Sequence, residues 1–97
     1  MNRDEILNCL REHRTEIGKR FAVTRLGLFG SAARDELGEE SDVDMLVAFE
    51  GFPTFAGYLG LKHYLEQLLD RPVDLVTESG LKARAKLTVE KDLIRVP

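Results

Sequence analysis

With a single cysteine among its 97 residues the chain cannot form an intrachain disulfide, and Cys9 is expected to pack in the core of a protein from a reducing compartment. No apolar run approaches the ~20 residues of a membrane span. Asp4 and Glu5, soon after Met1, leave no room for a signal peptide's apolar region, so the expected setting is the cytoplasm. An excess of positive charge is missing too. Fourteen basic against 17 acidic residues give a formal charge of −3, which argues against stable, sequence-independent nucleic-acid binding, since that rests on Lys and Arg contacts to phosphates. His13 and His63 do not cluster, and each reads as a surface or boundary residue of an amphipathic helix. Linkers and repeats are not evident. Residues 1–97 therefore read as one domain whose 43% hydrophobic content can bury one modest core.

What the chain does have is concentrated between Leu26 and Val47, in LGLFGSAARDELGEESDVDMLV. An apolar run ends at Gly30-Ser31, ten residues intervene, and a second run opens with Asp42-Val43-Asp44. Acids at alternate positions of a strand project from one face, with α-carbons about 6.6 Å apart, so one divalent cation can touch both. A glycine ending a strand lets a ligand approach the backbone, and a serine opening a short helix offers a hydroxyl and free N–H groups suited to phosphate. By average residue usage, a chance match to this spaced pattern in so short a chain is on the order of one in a thousand.

Asn2 with Glu5 reads as a capping box for a first helix over residues 3–17, and Gly18 as its stop. Phe21 to Phe29 reads as a central strand, Ser31 to Leu37 as two helical turns, and Gly38 to Ser41 as a polar loop. In the strand from Asp42 to Phe49, Val43, Met45, Val47 and Phe49 share one face, and Asp42, Asp44, Leu46 and Ala48 the other. Thr54 caps a helix with Phe55, Tyr58, Leu59, Leu65, Leu68 and Leu69 as apolar residues; Gly57 and Gly60 are tolerated in it. Asp70-Arg71-Pro72 is a turn, and Val73 to Thr77 a short strand carrying Asp74. A last helix from Leu81 to Asp92 leads into an extended tail at Leu93 to Val96.

Three acids at the ends of adjacent strands suit two magnesium ions, and phosphoryl transfer needs mainly positioning and charge neutralisation. On that scheme Asp42, Asp44 and Asp74 are the metal-holding and catalytic residues, Gly30 and Ser31 hold the β- and γ-phosphates of a nucleoside triphosphate, and Arg34 either adds charge there or is a solvated arginine. A calcium loop is excluded because Leu46 and Val47 stand where an oxygen ligand and a glycine would be required. A P-loop is excluded because no Lys-Ser/Thr pair follows Gly30. The helical spacing of Phe52, Phe55, Tyr58 and Tyr64 favours core packing or a protein interface over a base-stacking surface. Lys82, Arg84 and Lys86 read as a solvated face, with nucleotide phosphates or an acidic partner as the alternative.

Gly30-Ser31, ten residues, Asp42-x-Asp44 and then Asp74 in RPVDLVT resemble the nucleotidyltransferase superfamily of polymerase-beta type. The segments GSAARDE, SDVDMLV, GLKHYLEQLLDRPVDLVT and LKARAK extend the resemblance to the minimal nucleotidyltransferases, the MntA-like antitoxins encoded beside HEPN-domain toxins. That resemblance implies an α+β palm-like fold, a small mixed sheet with helices packed against it. It also implies Mg²⁺ and ATP, and transfer of AMP to a hydroxyl, commonly a tyrosine, of a HEPN toxin partner. Asp35 departs from the pattern, because such proteins often show glycine after the arginine. Larger members carry a helical domain that is not found before Pro97, so a second subunit, in a homo- or hetero-oligomer, is expected to complete the site. Two other readings stay open: an antitoxin acting by stoichiometric occlusion, and modification of a small-molecule hydroxyl.

Overall fold

A computed structural model describes residues 1–97. The first element, α1 (Arg3–Phe21), opens with the expected capping box: the Asn2 side chain accepts the Glu5 N–H, and the Glu5 carboxylate accepts the Asn2 N–H. Gly18 does not stop it. The helix runs one turn further and ends at Ala22, whose φ of 57° is left-handed. Phe21 gains by that extension, packing against Tyr64 with ring centroids 5.4 Å apart, and this contact outweighs the ~1 kcal/mol that glycine costs inside a helix.

Four strands follow in the sheet order β3-β2-β1-β4, with β1 (Val23–Phe29), β2 (Val43–Phe49), β3 (Val73–Thr77) and β4 (Ile94–Arg95). β1 is antiparallel to β2 and β4, and β2 is parallel to β3, so the sheet is mixed and β1 is central as expected. Between β1 and β2, α2 (Gly30–Ala33) is a single turn rather than two. It is ended by Asp35 at φ 60°, a conformation that breaks a right-handed helix. The β2 ladder begins at Val43, leaving Asp42 just outside it.

Thr54 caps α3 (Phe55–Leu69) by accepting the Gly57 N–H at 2.9 Å. Its buried stripe is Leu61, Leu65 and Leu69; Phe55 and Leu59, expected on the apolar face, are exposed instead. After β3 a 3₁₀ turn, Glu78–Gly80, delays the last helix, so α4 covers Ala83–Asp92 and excludes Leu81 and Lys82. The extended tail pairs with β1 as β4.

One face of the sheet makes the core. Val43, Met45 and Val47 are fully buried there against Ile6, Leu10 and Ile17 of α1 and Leu61 and Leu65 of α3. The other face is thinly covered by α4, which buries only Val89 of its own residues, and by Leu93, which fills the room left by Gly27. No helix is long and apolar enough to cross a membrane.

β3 is an edge strand, and α3 covers its open edge. The Val43 N–H donates to the Pro72 carbonyl, so the next residue of β3, Val73, turns its polar groups outward. Glu66 accepts the Val73 N–H at 3.0 Å, and the Tyr58 hydroxyl donates to the Leu75 carbonyl. Two outward groups are thus withheld from pairing with another chain.

Candidate active site

β1 delivers Gly30 to the carboxylates. Its φ is 68°, and a Cβ placed there would lie 2.2 Å from Oδ2 of Asp44, so only glycine allows β1 and β2 to bring cradle and acid together. Ser31 follows, half-buried, in the first turn of α2. Because α2 is so short, any anion there would be held by local N–H groups and the Ser31 hydroxyl, with little from a helix dipole.

Asp44 and Asp74 are register partners on parallel neighbours, so both project from the same face of the sheet. Burial pushes the Asp44 carboxyl above its usual value, and the charges of Asp74 and Asp42 push it further; Arg34 pulls the other way. Asp42 and Asp74 are the more open of the three, Asp74 exposed and Asp42 at the mouth of β2. The approach to Asp42 is held by Arg71, whose Nη1 donates to the Gly38 and Ser41 carbonyls at 2.8 and 3.2 Å. Glycine, serine and all three acids are therefore gathered at one end of the strands, as the sequence spacing anticipates.

Arg34 is less free than a solvated arginine. Its Nη1 donates to Asp92 at the end of α4 at 2.6 Å, and its Nε to Glu36 at 3.1 Å. Asp92 escapes sequence reasoning, since nothing local links residues 58 positions apart. Asp35 also has a structural role. At φ 60° it occupies a conformation that favours glycine, and its Oδ1 accepts the Arg3 N–H at 2.9 Å, tying α2 to the start of α1.

A hard divalent cation fits this donor set by its chemistry. Carboxylate oxygens are the ligands Mg²⁺ takes, and a cation would relieve the repulsion that raises Asp44. The three acids do not converge as a finished cage, and no group of three acidic, His or Cys side chains is arranged to close on a metal. The site is also an open rim, since none of the molecule's three cavities is lined by Gly30, Ser31 or the three acids.

The model of the nucleotidyltransferase domain family matches residues 10–96. The chain belongs to that family. This nucleotidyltransferase is 43% identical over 93 residues to protein adenylyltransferase MntA of Thermococcus cleftensis, covering 96% of this chain and 94% of the relative. Against MJ1379 of Methanocaldococcus jannaschii, a candidate protein adenylyltransferase, identity is 41% over 95 residues, covering 95% of each. A solved structure described as a candidate minimal nucleotidyltransferase superposes with a TM-score of 0.82 at 39% identity, covering 97% of this chain and 95% of that one. A toxin-antitoxin structure with AMP-PNP gives 0.71 at 22% identity, covering 100% and 73%, and shares the fold of this nucleotidyltransferase.

Proposed function

We propose that this enzyme, with residues 1–97 acting as one domain, transfers AMP from ATP to a hydroxyl of a partner HEPN-domain toxin, commonly a tyrosine, and so neutralises it. The observation that carries the proposal is the meeting of Gly30 with Asp44, and of Asp44 with Asp74, on one rim. The identity to a protein adenylyltransferase supports the reaction, and likeness in fold to a chain of a complex between a tri-AMPylated HEPN toxin and an MNT antitoxin supports the partner. A cytoplasmic setting, where ATP is abundant, agrees with this reading.

On this proposal Asp42, Asp44 and Asp74 would hold Mg²⁺, whose chemistry when bound is to neutralise the triphosphate and its leaving pyrophosphate. Gly30 and Ser31 admit and hold the β- and γ-phosphates, with Arg34 beside them. The acceptor oxygen bonds to the α-phosphorus as the bond to pyrophosphate breaks, and Asp74, the more accessible end of the pair it makes with Asp44, accepts the hydroxyl proton. Incubation with Mg²⁺, labelled ATP and the partner, read by intact mass, should add AMP units to the partner. Asp42→Asn/Asp44→Asn should abolish the addition. The alternative of neutralisation by occlusion alone predicts that the double substitution still silences the toxin.

A further inference from the structure

The rim carrying the acids uses only one end of the open sheet face. Four residues along β2 from Asp44, about 13 Å at a strand's rise, lies Ala48. There Arg25 of β1 reaches across β2 to Glu78 beyond β3, donating at 2.9 and 3.1 Å. The small side chain of Ala48 leaves room for that bridge. Beside it is a cleft of about 380 Å³, lined by Arg25, Thr77, Glu78, Ser79, Phe52 and Lys86 of α4.

Two properties characterise this cleft, whose Phe52 also lines the neighbouring cavity of Lys19 and Arg20. The first is charge: Arg25, Lys86 and Arg95 all act on Glu78, holding its carboxyl below the usual value, and Arg25's own bond to it makes the largest contribution. One acid among three cations leaves a local positive excess in a chain whose net charge is −3. Lys86 and Arg95 form no ion pair closer than 4.0 Å. The second is apolar surface. Phe52 is fully exposed at 101%, and Phe55, three residues along the chain, is exposed at 78%. Phe52 beside the unpaired Lys86 offers a docking protein an apolar anchor and a charge to complement.

We propose that this cleft is the docking site for the protein acceptor, taking a segment of the partner that presents an acidic side chain to Lys86 and an apolar one to Phe52. The inference rests on the partner being a protein, as argued above, and it divides the open face into two stations. The acids act on the hydroxyl, and the cleft, on the order of 13 Å away, holds the chain that carries it. α4 joins the two, with Lys86 at the cleft and Asp92 on Arg34 near the acids.

The test uses the full chain and the HEPN-domain protein encoded beside it, with Lys86→Glu and Phe52→Ser, both at exposed positions. Affinity measured by biolayer interferometry without ATP does not depend on transfer. A fall of about tenfold or more in each variant is expected, with acceptor KM raised in step, kcat held, and ATP affinity unchanged. Affinity within about twofold of wild type in both variants would overturn the proposal. So would a wild-type dimer in sedimentation that becomes monomeric in the variants, which would give the face to a second copy of this chain. Wild type that binds through the cleft but transfers no AMP would uphold the docking site while sinking the transferase reading.

Discussion

The two faces of the sheet are built from the same strands and do opposite things. Toward α1 and α3, Val43, Met45 and Val47 of β2 are wholly withdrawn from water, and the core contains no buried polar side chain. Toward α4, the alternate residues include Asp44, and the cover consists of ion pairs, a glycine and one half-packed helix. Stability is made on the first face. The second keeps like charges together at a cost in stability, which the proposed function explains by the cation they would hold.

The largest expected break in this division is on the core face. Leu65→Ala should destabilise by about 2–5 kcal/mol in denaturant titration, since the side chain is fully buried and its cavity cannot collapse against α1. Asp44→Asn should do the reverse. It should abolish transfer yet leave the midpoint unchanged or higher, because it removes a like charge beside Asp74 and Asp42. If both variants lose stability alike, the faces are not separable.

Gly30→Ala falls between them, since the glycine links the end of β1 to Asp44 on the open face. The added Cβ would collide with Asp44 Oδ2, and a side chain at φ 68° is strained, so a loss of about 1–3 kcal/mol should accompany loss of transfer. An active Gly30→Ala would show that the cradle tolerates a shifted Asp44.

How much of this is legible in the sequence follows from the range of the forces involved. β2 and β3 can be read because alternation is local, and the capping box because its partners are three residues apart. Strand periodicity leads to a shared face for Asp42 and Asp44, but the ladder begins at Val43, and Asp74 joins Asp44 through the parallel register of β2 and β3. The helix ends that differ from expectation are decided by distant packing: Tyr64 draws Phe21 into α1, and Arg3 donates to Asp35 where α2 stops. The Arg25–Glu78 bridge and the Asp92 hold on Arg34 join residues more than 50 positions apart, with no local pattern to announce them. Phe55 and Leu59 lie outside the core although both are apolar, because their periodicity is equally that of an exposed stripe.

The edge of β3 gives a smaller effect with a pH signature. Glu66 has its carboxyl held below the usual 4.5, chiefly by the Val73 N–H. A depressed carboxylate contributes stability that is present above its unfolded value and is lost as pH falls through the folded one. Acidification below 4.5 should therefore release Val73 and promote self-association, measurable by light scattering. Glu66→Gln should flatten that part of the stability profile. An unchanged profile would mean the edge is protected by Tyr58 alone.

The smallest effect belongs to Asp35, and it sharpens the boundary between the faces. Asp35→Gly relieves a left-handed side chain but removes the bond to Arg3, two contributions of about 1 kcal/mol with opposite signs, so stability should move by less than about 0.5 kcal/mol. Asp35→Ala loses the bond and keeps the strain, and should cost about 1–2 kcal/mol. ATP affinity separates this structural role from an electrostatic one. Asp35 is exposed and its carboxylate faces the start of α1, so screening should keep the change in affinity of Asp35→Gly below about threefold. Tighter ATP binding by about tenfold or more would mean that its charge is felt at the phosphate cradle, and that the departure from glycine tunes the nucleotide site.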